Sequence, residues 1–193
     1  MHPYATDSSR GRLALLAIAV LSILLAWGLG AALGASQLDA PWWLDTPAVL
    51  GFYGVLWKLY DRRGWKLRWR SLGVSDVPDV GGTWHGTVDS SYNGTSLNAV
   101  LAIRQTATHI LIELETSHSR STSVMATLNC SPGAFQGLSY VYENRPRTLS
   151  DPKMTPHSGR VYLRIGPDGN SLIGDYETDR HRGTNGRMNF VRS

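Results

Sequence analysis

The sequence predicts an all-β fold, a small eight-stranded up-and-down barrel, preceded by an N-terminal two-helix transmembrane hairpin. Residues 1–70 hold two long apolar stretches and predict a membrane anchor. Residues 71–80 are rich in Gly, Pro and Asp and predict a linker. Residues 81–193 contain only short alternating or β-branched runs and predict the barrel.

The first apolar stretch contains 26 residues without a charge, between Arg12 and Asp39. A helix of about 20 apolar residues crosses a bilayer, so we expect a first span at about residues 13–36. A signal peptide is the alternative, with Arg10 and Arg12 as its charged start. Its apolar region usually runs only about 7–15 residues, and no small-x-small cleavage site follows, so a span is favoured.

The second apolar stretch is shorter, and Asp45 interrupts it. We expect a second span at about residues 42–60, because aromatic rings of the kind that favour the headgroup level stand near both of its ends. These are Trp42, Trp43, Trp57 and Tyr60. An interfacial or re-entrant helix is the alternative.

The basic residues predict the orientation of this hairpin. Arg10 and Arg12 precede the first stretch, and six basic residues follow within or just after the second: Lys58, Arg62, Arg63, Lys66, Arg68 and Arg70. The loop between the stretches has no Lys or Arg. The positive-inside rule therefore places both termini and the barrel in the cytoplasm. The lone Cys130 agrees, since it offers no disulfide for a secreted domain.

The basic pI near 9.4 does not indicate nucleic-acid binding. Eight of the 19 Lys and Arg precede Ser71, and the remainder of the chain has 11 basic and 11 acidic residues. The basic cluster suits anionic lipid headgroups better than a duplex. We therefore expect membrane lipids, and neither DNA nor RNA, as direct partners.

Eight short runs after the linker predict the strands of the barrel. They lie at residues 83–90, 97–105, 110–117, 121–128, 135–143, 160–165, 171–179 and 187–191. A β-sandwich is the alternative architecture. An eight-stranded barrel is just wide enough to enclose one small ligand.

Alternation along two of these runs predicts which side chains point inward. Tyr176, Thr178 and Arg180 share a face with Leu172, and its opposite face is acidic. Leu138, Tyr140, Tyr142 and Asn144 share a face in the same way. Both inner faces begin apolar and end polar, as the mouth of a ligand pocket would.

The run E-T-S-H-S-R-S-T-S, residues 115–123, leaves two registers open. Straight continuation from the preceding strand points Thr116, His118 and Arg120 inward. A turn or bulge near residues 117–120 would instead bring Ser119, Ser121 and Ser123 inside. A solvated hairpin, with serines tolerated in a turn, is the third interpretation.

Several motifs together carry a resemblance to a known family. The anchor is followed by D-V-G-G-T-W-H-G, I-R-Q, T-S-H-S-R-S-T-S, L-S-Y-V-Y-E-N-R-P, P-H-S-G and L-I-G-D-Y-E-T-D-R-H-R-G. The series resembles the SMODS-associated, two-transmembrane, β-strand-rich effectors of bacterial CBASS antiphage defence. The resemblance covers nearly the whole chain. Gly82-Thr83-Trp84 also echoes the start of lipocalin barrels.

The resemblance implies a lipocalin-like barrel that receives a cyclic nucleotide made by a partner nucleotidyltransferase after phage infection. It further implies a multi-pass protein of the bacterial inner membrane. There, ligand binding drives homo-oligomerisation, and the transmembrane helices disrupt the membrane and kill the infected cell. No cofactor is expected besides the cyclic dinucleotide ligand.

The chemistry of such a ligand suits particular residues of this sequence. Arg180 and Arg120 would pair with phosphate oxygens. Tyr140, Tyr142 and Tyr176 offer faces for base stacking. Hydroxyl and amide groups would bond phosphates, riboses or base edges, from Thr116, Ser119, Ser121, Ser123, Asn144 and Thr178. His157, in the loop motif P-H-S-G, would cap the mouth.

Three other functions compete with this one. A membrane-tethered barrel carrying a lipid or another apolar ligand should keep an apolar lining up to its mouth, whereas Asn144, Thr178 and Arg180 favour a polar ligand. A purely structural assembly module would bind nothing. A hydrolase is disfavoured, because the histidines are scattered and no nucleophile elbow is present.

Overall fold

The computed structural model describes residues 1–8, 10–36, 45–67, 75–91, 94–131, 136–146 and 156–193. They form two compact units, one comprising Met1–Asp7 and Val77–Ser193, the other Ser8–Asp76. The first seven residues thus belong to the barrel unit, although the sequence analysis assigned them to the anchor. Three predicted segments lie outside the described residues: the start of the second span, positions 71–74 of the linker, and position 135 of the fifth strand.

Eight antiparallel strands close into a barrel, which confirms the predicted barrel. Two strands of two residues each precede them. The strands are β1 His2–Pro3, β2 Ala5–Thr6, β3 Gly82–Ser90, β4 Thr95–Gln105, β5 His109–Thr116, β6 Ser119–Asn129, β7 Gly137–Pro146, β8 His157–Ile165, β9 Ser171–Thr178 and β10 Asn185–Arg192. Each of β3 to β10 pairs with the next along the chain, and β10 returns to β3. One closed sheet is therefore formed rather than a sandwich.

The ladder between β5 and β6, here called the seam, is the shortest in the barrel. It contains three residue pairs, Glu113 with Thr122, Leu114 with Ser121, and Glu115 with Arg120. The other barrel ladders contain seven to ten pairs.

Beyond the seam, the N-terminal segment Met1–Asp7 lies between the two strands. Its β1 pairs with β5 antiparallel, and its β2 pairs with β6 in parallel. These two strands were not predicted from the sequence. They fill the part of the sheet where β5 and β6 do not pair with each other.

One end of the barrel is closed by packed apolar side chains. Trp84 and Phe190 are fully buried there, as are Leu101, Ile110 and Leu128. The indole of Trp84 donates to the carbonyl of Val80 at 3.0 Å, and the guanidinium of Arg192 lies 4.6 Å from the Trp84 ring. Such burial and cation–π contact stabilise this end. Among the described residues, the space inside the barrel lies toward the opposite end, the mouth.

The second unit contains α1 Arg10–Ala35 and α2 Asp45–Arg62, which pack against each other, and a short 3₁₀ helix, Gly64–Lys66. The buried residues of α1 recur at every fourth position: Ala14, Ile18, Ser22 and Ala26. Large apolar side chains such as Leu13 and Trp27 are instead exposed, by 65% and 75%. Among the described helices, α1 alone is long and apolar enough to cross a membrane. The second span of the predicted hairpin therefore stays a prediction.

Candidate functional site

A cavity of about 120 Å³ lies inside the barrel at its mouth. Its polar lining residues are Ser90, Thr116, His118, Ser119, Ser121, Tyr142, Asn144, His157, Tyr176, Thr178, Arg182 and Thr184, and its apolar lining residues are Val88, Leu97, Leu114, Val161 and Met188. On β3, β5 and β8 the apolar member lies deeper than the polar one. The inner faces thus turn polar toward the mouth, as the alternation predicted.

The turn between β5 and β6 decides the register of the serine run. It consists of Ser117 and His118, and the Thr116 hydroxyl accepts from the amides of Ser119 at 3.1 Å and His118 at 3.3 Å. Both Thr116 and Ser119 consequently reach the cavity. On β6, alternation then points Ser121 inward and Arg120 outward. The straight register was therefore correct for Thr116 and His118, and the register with a turn was correct for Ser119 and Ser121.

A chain of polar contacts crosses the cavity wall from β6 to the turn between β9 and β10. The Ser121 hydroxyl donates to Asn144 Oδ1 at 3.1 Å, and Asn144 Nδ2 lies 3.4 Å from Nδ1 of the His157 ring. Arg182 Nη1 donates to His157 Nδ1 at 3.4 Å. This last contact requires an unprotonated Nδ1. Asn144 and Ser121 are each only 7% exposed, so the wall holds these groups in place for a ligand to meet.

Two tyrosines form the aromatic part of the wall, and each lies against a glycine on a neighbouring strand. A Cβ on Gly159 would lie 2.4 Å from the Tyr142 hydroxyl oxygen, and one on Gly186 would lie 2.6 Å from Tyr176 Cε1. Glycine at these two positions therefore makes room for the rings. Burial raises the pKa of Tyr142, so its hydroxyl stays a donor at neutral pH.

The turn that carries Arg182 is held by Asp179. One carboxylate oxygen accepts from the Arg182 amide at 3.2 Å, and the other accepts from the Ser158 amide at 3.1 Å. These backbone hydrogen bonds, that from Ser158 first, lower the pKa of Asp179. Gly183 takes a φ of +59°, which a glycine adopts without strain. The turn thereby places a guanidinium at the mouth.

Eight of the twelve residues proposed from sequence line the cavity: Thr116, Ser119, Ser121, Tyr142, Asn144, His157, Tyr176 and Thr178. Two arginines do not. Arg120 points outward from β6 and pairs with Glu113 at 2.5 Å. Arg180 is exposed because β9 ends at Thr178, where the inward and outward alternation stops.

The other two proposed residues are buried away from the cavity. The Ser123 hydroxyl lies 2.8 Å from His2 Nε2 and accepts from the Ile112 amide at 2.9 Å, next to the seam. Tyr140 lies deeper on β7 than Tyr142, with ring centroids 6.4 Å apart. Within the described part of the chain, its hydroxyl has no hydrogen-bond partner.

Several lining residues were not predicted from the sequence. Arg182 and Thr184 sit in and after a turn, where no periodicity applies, although both arginines of D-R-H-R-G were available as candidates. His118 was predicted to point inward by the straight register, but it was not among the proposed site residues. Ser90 ends β3, and its alternation with Val88 would have pointed to it.

Larger depressions, of about 430 to 870 Å³, lie on the outer surface and are lined mainly by outward-facing strand residues. They lack the convergence of buried polar and aromatic groups seen in the cavity. Among the described residues, no group of three or more His, Cys, Asp or Glu could hold a metal ion. The cavity is therefore the candidate site.

A comparison with protein families matches residues 75–192 to the model described as Cap15, cyclic dinucleotide receptor domain. The match covers the whole barrel apart from the N-terminal segment. No curated protein matches the chain.

Proposed function

The chain belongs to the Cap15 cyclic dinucleotide receptor domain family, and we propose that its barrel binds a cyclic dinucleotide in the cavity at the mouth. The family is one of receptors rather than of catalysts. The observation that carries the proposal is the chain of polar contacts from the buried Ser121 and Asn144 through His157 to Arg182, inside a domain of this family.

The groups of the cavity complement the parts of such a ligand. Arg182 supplies a guanidinium for a phosphate, which favours charge-assisted and bidentate hydrogen bonds. Tyr142 and Tyr176 supply faces for bases, and base stacking on an aromatic ring contributes about 1–3 kcal/mol per base. Asn144, Ser121 and Thr116 supply donors and acceptors for ribose hydroxyls or base edges.

The pairing of the N-terminal segment supports a two-span topology. His2 and Thr6 pair with barrel strands, so the N-terminus and the barrel lie on the same side of any membrane that α1 crosses. A single crossing would separate them, which makes α2 the natural return span. At 18 residues, α2 would extend about 27 Å, slightly less than a hydrocarbon core of about 30 Å.

This topology can be tested with single cysteines and a membrane-impermeant maleimide. Gln37→Cys should react in intact bacterial cells, whereas Ser193→Cys should react only after lysis. Cys130 is buried and serves as the internal negative control. Labelling of Ser193→Cys in intact cells would contradict the two-span proposal. It would indicate instead that the first apolar stretch is a signal peptide or that the chain crosses the membrane only once.

We further propose that the protein is a CBASS effector of the bacterial inner membrane. Its signal comes from a partner nucleotidyltransferase, and binding drives self-association and disruption of the membrane. The exposed apolar side chains of α1 support a lipid environment, because such a surface is unfavourable in water. No catalytic step is assigned to the barrel.

The test uses the full chain in liposomes of anionic lipid loaded with a self-quenching dye. Cyclic dinucleotides that carry adenine, guanine or uracil are added one at a time, and dye release is followed. We expect release with at least one of them and none with the matching linear dinucleotide. Equal release with and without every cyclic dinucleotide would overturn the effector proposal.

A further inference from the structure

The cavity is too small for the proposed ligand in the conformation described. Its volume is about 120 Å³, whereas pockets that enclose drug-sized ligands measure about 300–1,000 Å³. A cyclic dinucleotide, with its bases, riboses and phosphates, belongs among the larger of those ligands. Enclosing such a ligand within the barrel therefore requires part of the wall to move outward.

The seam is the part of the wall with the fewest interstrand bonds. Three residue pairs join β5 to β6, and each other barrel ladder has at least seven. Parting β5 from β6 would break these three pairs and one of the two-residue ladders of the N-terminal segment, still fewer than the seven or more pairs of any other barrel ladder, and each broken backbone hydrogen bond costs free energy when left unmade. The seam also lies at the mouth, since Leu114 and Ser121 of its central pair line the cavity.

The structure of β6 also favours movement of this strand at the seam. The ladder with β7 shifts register between Ser123 and Met125, which is a β-bulge at Val124. A bulge bends its strand and interrupts the ladder. The cavity side of β6 carries only the small side chains of Ser119 and Ser121. An outward movement of this end of β6 consequently disrupts no large packed group.

The N-terminal segment is fastened to both sides of the seam. His2 Nε2 lies 2.8 Å from the Ser123 hydroxyl, which in turn accepts from the Ile112 amide of β5 at 2.9 Å. Asp7 accepts from the amides of Cys130 at 2.6 Å and Ser131 at 3.2 Å, just past β6. A change in the distance between β5 and β6 therefore breaks some of the bonds that hold this segment.

We propose that the seam is the gate of the cavity and that the N-terminal segment, Met1–Asp7, is the element that responds when it opens. A ligand that enters the cavity parts β5 from β6, and the segment loses its fixed place between them. Only two residues separate Asp7 from Arg10, where α1 begins, so the release of the segment is passed directly to the first helix. The inference rests on the proposed ligand function.

A reversible lock on the seam tests the gate. Glu113→Cys with Thr122→Cys joins an outward-facing pair across the seam, and Arg160→Cys with Glu177→Cys joins an outward-facing pair across β8 and β9 as the matched control. Neighbouring Cα atoms in a ladder lie within disulfide range. Both variants remove surface ion pairs, and mass spectrometry confirms the intended disulfide.

The full chain in detergent micelles is titrated with the same panel of cyclic dinucleotides, oxidised and after reduction. We expect the oxidised seam variant to lose affinity at least tenfold and to regain it on reduction, while the control variant binds like wild type in both states. Equal affinity of the oxidised seam variant and wild type would overturn the gate and leave the proposed function standing. No binding by wild type to any of the dinucleotides would overturn both.

Hydrogen exchange measured by mass spectrometry tests the response of the segment. Peptides covering residues 1–7 should exchange faster when the ligand that wild type binds is present, and peptides of β9 should not. Unchanged or slower exchange of residues 1–7 would overturn the role given to the segment.

Discussion

The Ser121 hydroxyl donates a hydrogen bond of 3.1 Å to Asn144 Oδ1, and this bond joins β6 to β7 inside the mouth of the barrel. Both side chains are almost fully buried, yet both line the cavity. Asn144 continues the contact to His157. The pair thus forms a fixed polar surface in the wall of the cavity.

Ser121→Ala should weaken binding of the cyclic dinucleotide by about threefold to tenfold, because a lost hydrogen bond costs about 0.5–1.5 kcal/mol. Thr122→Ala, one position along and on the outer face of β6, is the matched control and should bind like wild type. Isothermal titration of the two variants provides the comparison. Equal losses in both would show that the effect is one of strand stability and not of ligand contact.

Arg182→Gln should weaken binding by about tenfold to a hundredfold, since a hydrogen bond to a charged group contributes about 1.5–3 kcal/mol. Arg180→Gln removes the same charge from an exposed position two residues away and should bind like wild type. The affinity of wild type should also fall more steeply with salt than that of Arg182→Gln. A larger loss of affinity in Arg180→Gln than in Arg182→Gln would show that Arg180, and not Arg182, contacts the phosphate.

Tyr140→Phe should raise the free energy of unfolding by about 1 kcal/mol, because a buried hydroxyl without a partner carries a desolvation cost that phenylalanine does not. In the described residues, the Tyr140 hydroxyl is such a group. Tyr162→Phe, on the outer surface, should change stability little. Urea unfolding measures both, and a clear destabilisation by Tyr140→Phe would reveal a hydrogen bond to this hydroxyl.

Asp7 should stabilise the barrel in a way that is lost in acid. Hydrogen bonds from the Cys130 backbone and from Ser131 lower its pKa from 3.8 to about 2. A carboxylate with a lowered pKa stabilises the folded state fully above its usual pKa, and the effect disappears as the pH falls through the folded pKa. The difference in urea midpoint between wild type and Asp7→Asn should therefore be constant above about pH 5.

That difference should shrink as the pH falls from 3.8 toward about 2. Asp175→Asn, whose side chain is 77% exposed, controls for the loss of one negative charge. A difference that widens in acid would contradict the hydrogen bonds assigned to Asp7.

The fold followed from the sequence because strand alternation is a local property. On β7, Leu138, Tyr140, Tyr142 and Asn144 point inward as their spacing predicted, and on β9 the prediction holds through Thr178. It fails at Arg180 because periodicity carries no information once a strand ends. The guanidinium at the mouth is set by the turn instead, through Asp179 and Gly183.

The N-terminal segment could not be predicted for a different reason. Strands of two residues are too short to show any alternation, and their partners lie more than 100 residues away. The residues M-H-P-Y-A-T-D look like an ordinary leader to the apolar helix. These residues form strands because β5 and β6 leave a gap in the sheet in which they can pair, and this gap is visible only in the folded structure.

The most direct test of the account is equilibrium binding of cyclic dinucleotides to the full chain in detergent micelles, followed by isothermal titration. We predict saturable binding of at least one of them, weakened in Asn144→Leu and unchanged in Thr122→Ala. If none of them binds or raises the melting temperature, while a fatty acid does both, the cavity is that of a lipid carrier and the account is contradicted.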